Sequence, residues 1–252
     1  MPRYSLDDVR EVVLLDSWWG RYFLDPISIR LTWLIANFTR LSPNAVTFFS
    51  FLFALVSAYL FYRGERLFLV AGAVVYEFGF ILDTVDGKLA RLTGKSSTAG
   101  AFLDVYLDNI SVFLNLFALV MGRFLISGEK KYIIVGLIYI FVHFLQILSK
   151  YQALHFLGRG YKQEFYGGER ADVGKNLFAS IKGFFARRKL SMVLFSTVEG
   201  EAIVFFIGPL TGLVFESILV SLVLVFLFFI LKSILFFKSS MALDRKERPA
   251  DK

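Results

Sequence analysis

The chain has 252 residues, 56% of them hydrophobic and 17% aromatic, with 30 Phe, no Cys and a formal net charge of +7. A soluble domain of this length does not need so much apolar surface, and the lack of Cys excludes disulfides and thiolate metal sites. The positive charge is accounted for by Lys- and Arg-rich loops beside anionic lipid, without calling on nucleic acid.

In chain order, the first residues mix acids and bases (Asp7, Asp8, Arg10, Glu11) and do not read as a secretory signal peptide. Trp18, Trp19, Tyr22 and Phe23 form an aromatic cluster suited to the headgroup level of a bilayer. After Pro26, the residues Ile27, Leu31, Leu34, Ile35 and Phe38 recur at helical spacing, which predicts an amphipathic helix lying in the membrane interface. Ser42 reads as an N-cap and Pro43 as the first helical position of a first span. Six apolar runs are long enough to cross a bilayer: 45–62, 67–86, 101–126, 132–149, 190–207 and 216–237. The expected fold class is therefore all-α integral membrane, a six-transmembrane helix bundle preceded by an interfacial amphipathic helix. Its parts are an N-terminal segment 1–44, a membrane domain 45–237 with a loop at 150–189, and a basic tail 238–252. With the N-terminus inside, the inner segments carry 22 Lys and Arg against 4 in the outer connections. That asymmetry predicts both termini in the cytoplasm.

The chemistry gathers at the second and third spans. Asp83 and Asp86 are three residues apart and share one helical face; Asp104 and Asp108 are four apart and share another. The short connection 92–99 makes the two helices antiparallel neighbours, so four carboxylates meet at the membrane boundary. Acids packed in a poorly hydrated site repel one another, and intramembrane acids generally mark function. Metal ions relieve the repulsion. Hard oxygen ligands in a chain with no Cys and 2 His favour Mg²⁺ or Mn²⁺ over zinc. Four carboxylates suffice for two ions at the ~4 Å separation of two-metal phosphoryl transfer. Gly87 and Gly100 permit close approach, and the planar fork of Arg91 suits a diphosphate.

The pattern Asp83-x2-Asp86-Gly87-x2-Ala90-Arg91-x8-Gly100-x3-Asp104-x3-Asp108 resembles the full signature of the CDP-alcohol phosphotransferase (CDP-alcohol phosphatidyltransferase) family. The resemblance covers residues 83–108 position by position and about 40–237 in architecture. It implies a transferase of phospholipid biosynthesis that moves a phosphatidyl or substituted phosphoalcohol group from a CDP-linked donor to an alcohol and releases CMP. It implies further that Asp83, Asp86 and Asp104 hold a pair of Mg²⁺ or Mn²⁺ ions. Asp108 would be the general base and a shared metal ligand, with Gly87, Ala90, Arg91 and Gly100 lining the CDP site. Pro43-Asn44-x-x-Thr47 resembles an element found near the nucleotide in the family, which adds Asn44 and Thr47. A homodimer in membrane lipid, with the active site towards the cytoplasm and no nucleic-acid partner, is also what the resemblance implies.

Several choices stay open on sequence alone. The donor is CDP-diacylglycerol with a small alcohol acceptor (inositol, an inositol phosphate, glycerol phosphate or serine), or a CDP-aminoalcohol with diacylglycerol; the modest length and six spans resemble the family's bacterial and archaeal members, which lean towards the first. A membrane prenyltransferase would place its Asp motifs on distant helices, and a cation-coupled transporter would show repeat-related polar interruptions. Glu199 and Glu201 have two readings: acceptor binding, or a capping box of Ser196 and Glu199 opening a shorter helix. Glu77 lies some 120° round the helix from Asp83, able to line a neighbouring cavity or pair within the bundle. Lys88 and Lys95 read as ordinary inner-loop charges, and His143 and His155 as satisfied polar residues. The basic loop (Arg159, Lys162, Arg170, Lys175, Lys182, Arg187, Arg188, Lys189) reads as facing anionic lipid, in preference to gripping a phosphorylated acceptor.

Overall fold

A computed structural model describes residues 3–14, 17–156 and 195–247, and these are helical throughout apart from short connections. A short helix α1 (Leu6–Glu11) is followed by a π-helical turn (Gly20–Leu24) that runs directly into α2 (Asp25–Phe38). Long helices follow: α3 (Pro43–Arg63), α4 (Arg66–Leu92), α5 (Thr98–Ser127) and α6 (Lys131–Phe156). After residue 195 come α7 (Thr197–Glu201), a π-helical segment (Ala202–Ile207), α8 (Gly208–Thr211) and α9 (Val214–Glu247). The basic loop from residue 157 and the end of the tail lie outside the described residues.

Among the described residues, five helices are long and apolar enough to cross a membrane: Pro43–Arg63, Arg66–Leu92, Thr98–Ser127, Lys131–Ser149 and Val214–Ile234. They match five of the six expected runs. The other, 190–207, enters the described residues only at Phe195. There Ser196 opens the helix with a capping box to Glu199. From Thr197 to Thr211 the path is about 20 Å, shorter than the ~30 Å hydrocarbon layer. Many lipid-facing side chains on the long helices are large and apolar, among them Phe48, Phe113, Phe141 and Leu227. The chain is thus a multi-pass integral membrane protein.

Local signals fix where the helices stop. Ser42 caps α3 by accepting from the Ala45 N–H, and Ser97 caps α5 by accepting from the Gly100 N–H at 3.0 Å. Helix α4 ends where Gly94 adopts a φ of +67° and the Lys95 N–H reaches back to the Ala90 carbonyl at 2.9 Å. Two arginines cover helix-end carbonyls: Arg123 donates to Gly64 O at 3.0 Å, and Arg66 donates to Pro209 O and Leu210 O.

Helices α3 and α5 run side by side because small and polar residues line their seam. A Cβ built on Gly122 would lie 2.3 Å from the Phe61 carbonyl oxygen, so only glycine allows this backbone approach. Midway, Ser57 donates to the Asn115 amide oxygen and the Asn115 nitrogen donates to Ala54 O at 3.1 Å. At the other end Gly100 packs on Asn44, where a Cβ would lie 2.9 Å from the amide oxygen. The apolar core, with Phe61, Leu69, Leu116, Leu119, Tyr139, Phe205 and Ile218, fills the space between these helices, α6 and α9.

The N-terminal segment departs from the simple amphipathic picture. Helix α2 packs on α4 through a buried face of Asp25, Ser28 and Thr32, while Ile27, Leu34 and Phe38 are exposed. Leu31 and Ile35 join the small core cluster around Val85 and Leu89. The apolar stripe is therefore split, part towards the protein and part outward.

Candidate active site

Helix α4 has 27 residues and is about 40 Å long, so it outlasts the hydrocarbon layer and carries the signature to its edge. The stretch Asp83–Arg91 is helical throughout, so Gly87 is no turn residue. The start of α5 meets it from the antiparallel side. One carboxylate oxygen from each of Asp83, Asp86 and Asp104 lies within 4.8 Å of the others. These three are the only such group of metal-ligating side chains among the described residues. The donor set is purely carboxylate and partly buried, which fits a hard divalent cation such as Mg²⁺ or Mn²⁺.

The neighbours orient this cluster. Thr47 donates its hydroxyl to Asp86 Oδ2, and its oxygen also lies 3.2 Å from Pro43 O. Such outer bonds fix the rotamer of a metal-ligating carboxylate. Asp108, one turn along α5 from Asp104, is outside the close trio. It lines a cavity shared with Asp83, Thr47, Ser50, Tyr76, Gly79 and Ser111. Gly100 contacts Asn44, whereas Thr47 of the same Pro43-Asn44-x-x-Thr47 element bonds Asp86 directly. Ala90 is half-buried on α4. The Arg91 guanidinium lies across Gly87, its terminal nitrogens 3.3 and 3.7 Å from where a Gly87 Cβ would stand. Its Nε donates to the Val12 carbonyl at 2.9 Å.

The sequence profile of the CDP-alcohol phosphatidyltransferase family matches residues 40–237, which hold every residue of this cluster. The chain belongs to the CDP-alcohol phosphatidyltransferase family. Its similarity to an archaetidylinositol phosphate synthase of Pyrococcus horikoshii is 39% identity over 82 residues, 32% of this chain and 42% of that protein. A protein of the same name from Aeropyrum pernix is 32% identical over 104 residues, 40% of this chain and 50% of its own length. The matched part is therefore at most half of these relatives. The fold is similar to that of phosphatidylinositol phosphate synthase from Mycobacterium tuberculosis, crystallised with manganese and citrate. The TM-score is 0.50 at 21% identity, over 81% of this chain and 85% of that one.

Within this phosphatidyltransferase fold, Glu199 and Glu201, left open between acceptor binding and a helix cap, part company. The Glu199 carboxylate is bonded by the Ser196 N–H at 2.7 Å, the Ser196 hydroxyl and the Trp19 N–H at 3.2 Å. It serves as a helix cap. Glu201 is buried and accepts from the Tyr76 hydroxyl at 3.3 Å, and Tyr76 in turn lines the Asp83–Asp108 cavity. Glu77 accepts from the Trp19 indole N–H at 2.9 Å, so it pairs within the bundle. Sequence reasoning missed Lys88. It is only 4% exposed and pairs with the equally buried Asp25 at 3.0 Å. The signal lay in Asp25 and Lys88 both being charged beside apolar runs, yet nothing in the spacing joins residues 63 apart.

Proposed function

We propose that this chain transfers a phosphatidyl-type group from a CDP-linked lipid to an alcohol, releasing CMP. The carrying observation is the convergence of Asp83, Asp86 and Asp104 beside Gly87 and Arg91, in a chain of the phosphatidyltransferase family. CDP-diacylglycerol or its archaetidyl counterpart is the donor in this reading, and an inositol phosphate the acceptor. Support for that pairing comes from the name shared by the Pyrococcus and Aeropyrum relatives. The excess of Lys and Arg on one side, 22 against 4, supports a site facing the cytoplasm.

Each residue then has a task. Asp83, Asp86 and Asp104 would hold a pair of divalent ions, and Thr47 fixes the Asp86 carboxylate through its hydroxyl. When bound, the ions offset charge on the diphosphate and on the departing CMP. Arg91 pairs with the diphosphate, while Gly87, Ala90, Gly100 and Asn44 form the surface against which the nucleotide lies. Asp108 takes the proton of the acceptor hydroxyl as its oxygen attacks the β-phosphorus in line. The new phosphoester bond forms, the anhydride bond breaks, and CMP keeps the electron pair. Most of the acceleration comes from positioning and charge stabilisation.

The test is CMP release by the protein purified in detergent with Mg²⁺ or Mn²⁺. CDP-diacylglycerol, an archaetidyl analogue and CDP-choline are offered against inositol phosphate, inositol, glycerol phosphate, serine and diacylglycerol. CMP from a CDP-lipid with inositol phosphate is the expected result. CMP only from CDP-choline with diacylglycerol would move the chain to the aminoalcohol branch. No CMP from any pair, together with no metal-dependent CDP binding, would end the transferase reading.

A further inference from the structure

Where the site takes a CDP-linked donor, as proposed above, Arg91 meets the diphosphate, and whatever aims Arg91 bears on donor binding. We propose that Asp25 and Lys88 are positioning residues: their buried ion pair docks the N-terminal segment on α4, so that the Val12 carbonyl holds the Arg91 guanidinium across Gly87.

Lys88 and Arg91 are three residues apart on α4, so they lie about 60° from each other, with Lys88 on the side of the helix opposite the Asp83–Asp86 face. Both reach the N-terminal segment: Lys88 Nζ to Asp25 Oδ1 at 3.0 Å, Arg91 Nε to Val12 O at 2.9 Å. Asp25 is 2% exposed and also accepts from Arg21 at 3.1 Å, so the carboxylate is held between two cations. Lys88 donates besides to Thr84 O at 3.3 Å, within the same helix.

The segment that carries Val12 is itself tied down. Val9 is fully buried and Val13 nearly so. The Tyr4 N–H donates to Asn37 Oδ1 at 2.9 Å, and the Tyr4 carbonyl accepts from Trp33 Nε1 at 2.9 Å and Asn37 Nδ2 at 3.1 Å. Val12 is thus fixed to α2, and α2 is fixed to α4 by a charge pair. A carbonyl on Nε fixes one edge of the guanidinium plane and thereby the direction of the opposite edge. The terminal nitrogens come to rest 3.3 and 3.7 Å from the Gly87 Cβ position, against the residue that follows Asp86. A pair that merely glued two helices would need no such relay to the next turn.

The experiment is a double-mutant cycle on CDP affinity, measured by titration of the monodisperse protein in detergent with saturating Mn²⁺. Asp25→Asn leaves Lys88 buried without its counter-charge and is expected to weaken CDP binding about tenfold, with Mn²⁺ affinity unchanged. In an Arg91→Ala background the same substitution is expected to cost nothing further, because it acts through Arg91. If Asp25→Asn does not yield folded protein, Asn37→Ala replaces it, loosening Tyr4 and Val12 at a half-buried position, with the same dependence on Arg91. Equal losses with and without Arg91, or unchanged CDP affinity in both folded variants, would overturn the positioning role alone. Wild-type protein that fails to bind CDP would overturn the functional reading and this role with it.

Discussion

Asp108 is the residue whose role separates binding from chemistry. It lines the cavity with Asp83 but stands outside the close trio of carboxylates. Asp108→Asn should therefore keep metal-dependent CDP binding and lose about 10²–10⁴ in CMP release. Thr47 acts one step back, through its bond to Asp86. Thr47→Val keeps the shape and removes the donor, and should weaken Mn²⁺ binding about tenfold or more, read by titration of the ion against the protein. Most of this site was legible in the sequence, because it is local. Spacings of three and four residues put carboxylates on one helix face, and a connection too short for anything but an antiparallel return brings the two faces together. Asn44 and Thr47 were legible only by resemblance; Thr47 bonds Asp86, and Asn44 lies against Gly100. Lys88 was misread, because a charge on an inner helix end looks the same whether solvent or Asp25 stands opposite.

At the scale of elements, the seam between α3 and α5 depends on Gly122. Adding one methyl there places a carbon 2.3 Å from the Phe61 carbonyl, and backbone cannot swing aside as a flexible side chain would. Gly122→Ala should destabilise the bundle by about 1–3 kcal/mol, seen as a lowered midpoint of thermal aggregation in detergent. The five spans that the structure shows were plain from hydropathy, since length and composition alone decide them. The run at 190–207 was not so simple. Ser196 and Glu199 open a helix at Thr197, the capping box that the sequence offered as one of two readings, while the apolar average of the same stretch pointed to a span. The face of α2 was also hidden: its polar residues Asp25, Ser28 and Thr32 turn inward because α4 offers Lys88 there.

For the whole molecule, the prediction concerns which side of the membrane each end of the bundle occupies. The chain has no Cys, so a single introduced thiol reports without background. A membrane-impermeant maleimide should label Glu129→Cys, in the connection before α6, on intact cells. It should label Lys95→Cys, in the connection after α4, only once the membrane is opened. The reverse pattern would place the carboxylates outside and contradict the charge asymmetry. Fold class was readable at this scale because bilayer thickness imposes one length on every span. How the N-terminal segment sits on the bundle was not, since that depends on contacts between residues far apart in sequence.

The glycine contact at the far end of α5 has a mechanical consequence. Gly122 and Asp104 are eighteen residues apart on one unbroken helix, about 27 Å. The helix is a lever pivoted at the Phe61 carbonyl, with Asp104 of the carboxylate trio on its long arm. A tilt of about 5° at the pivot would sweep Asp104 through roughly 2 Å, whereas ligand distances tolerate about 0.2 Å. This close backbone approach thus gauges the opening between the carboxylates from the other end of the helix. A methyl group added at that fulcrum would be felt as a poorer fit for the ion.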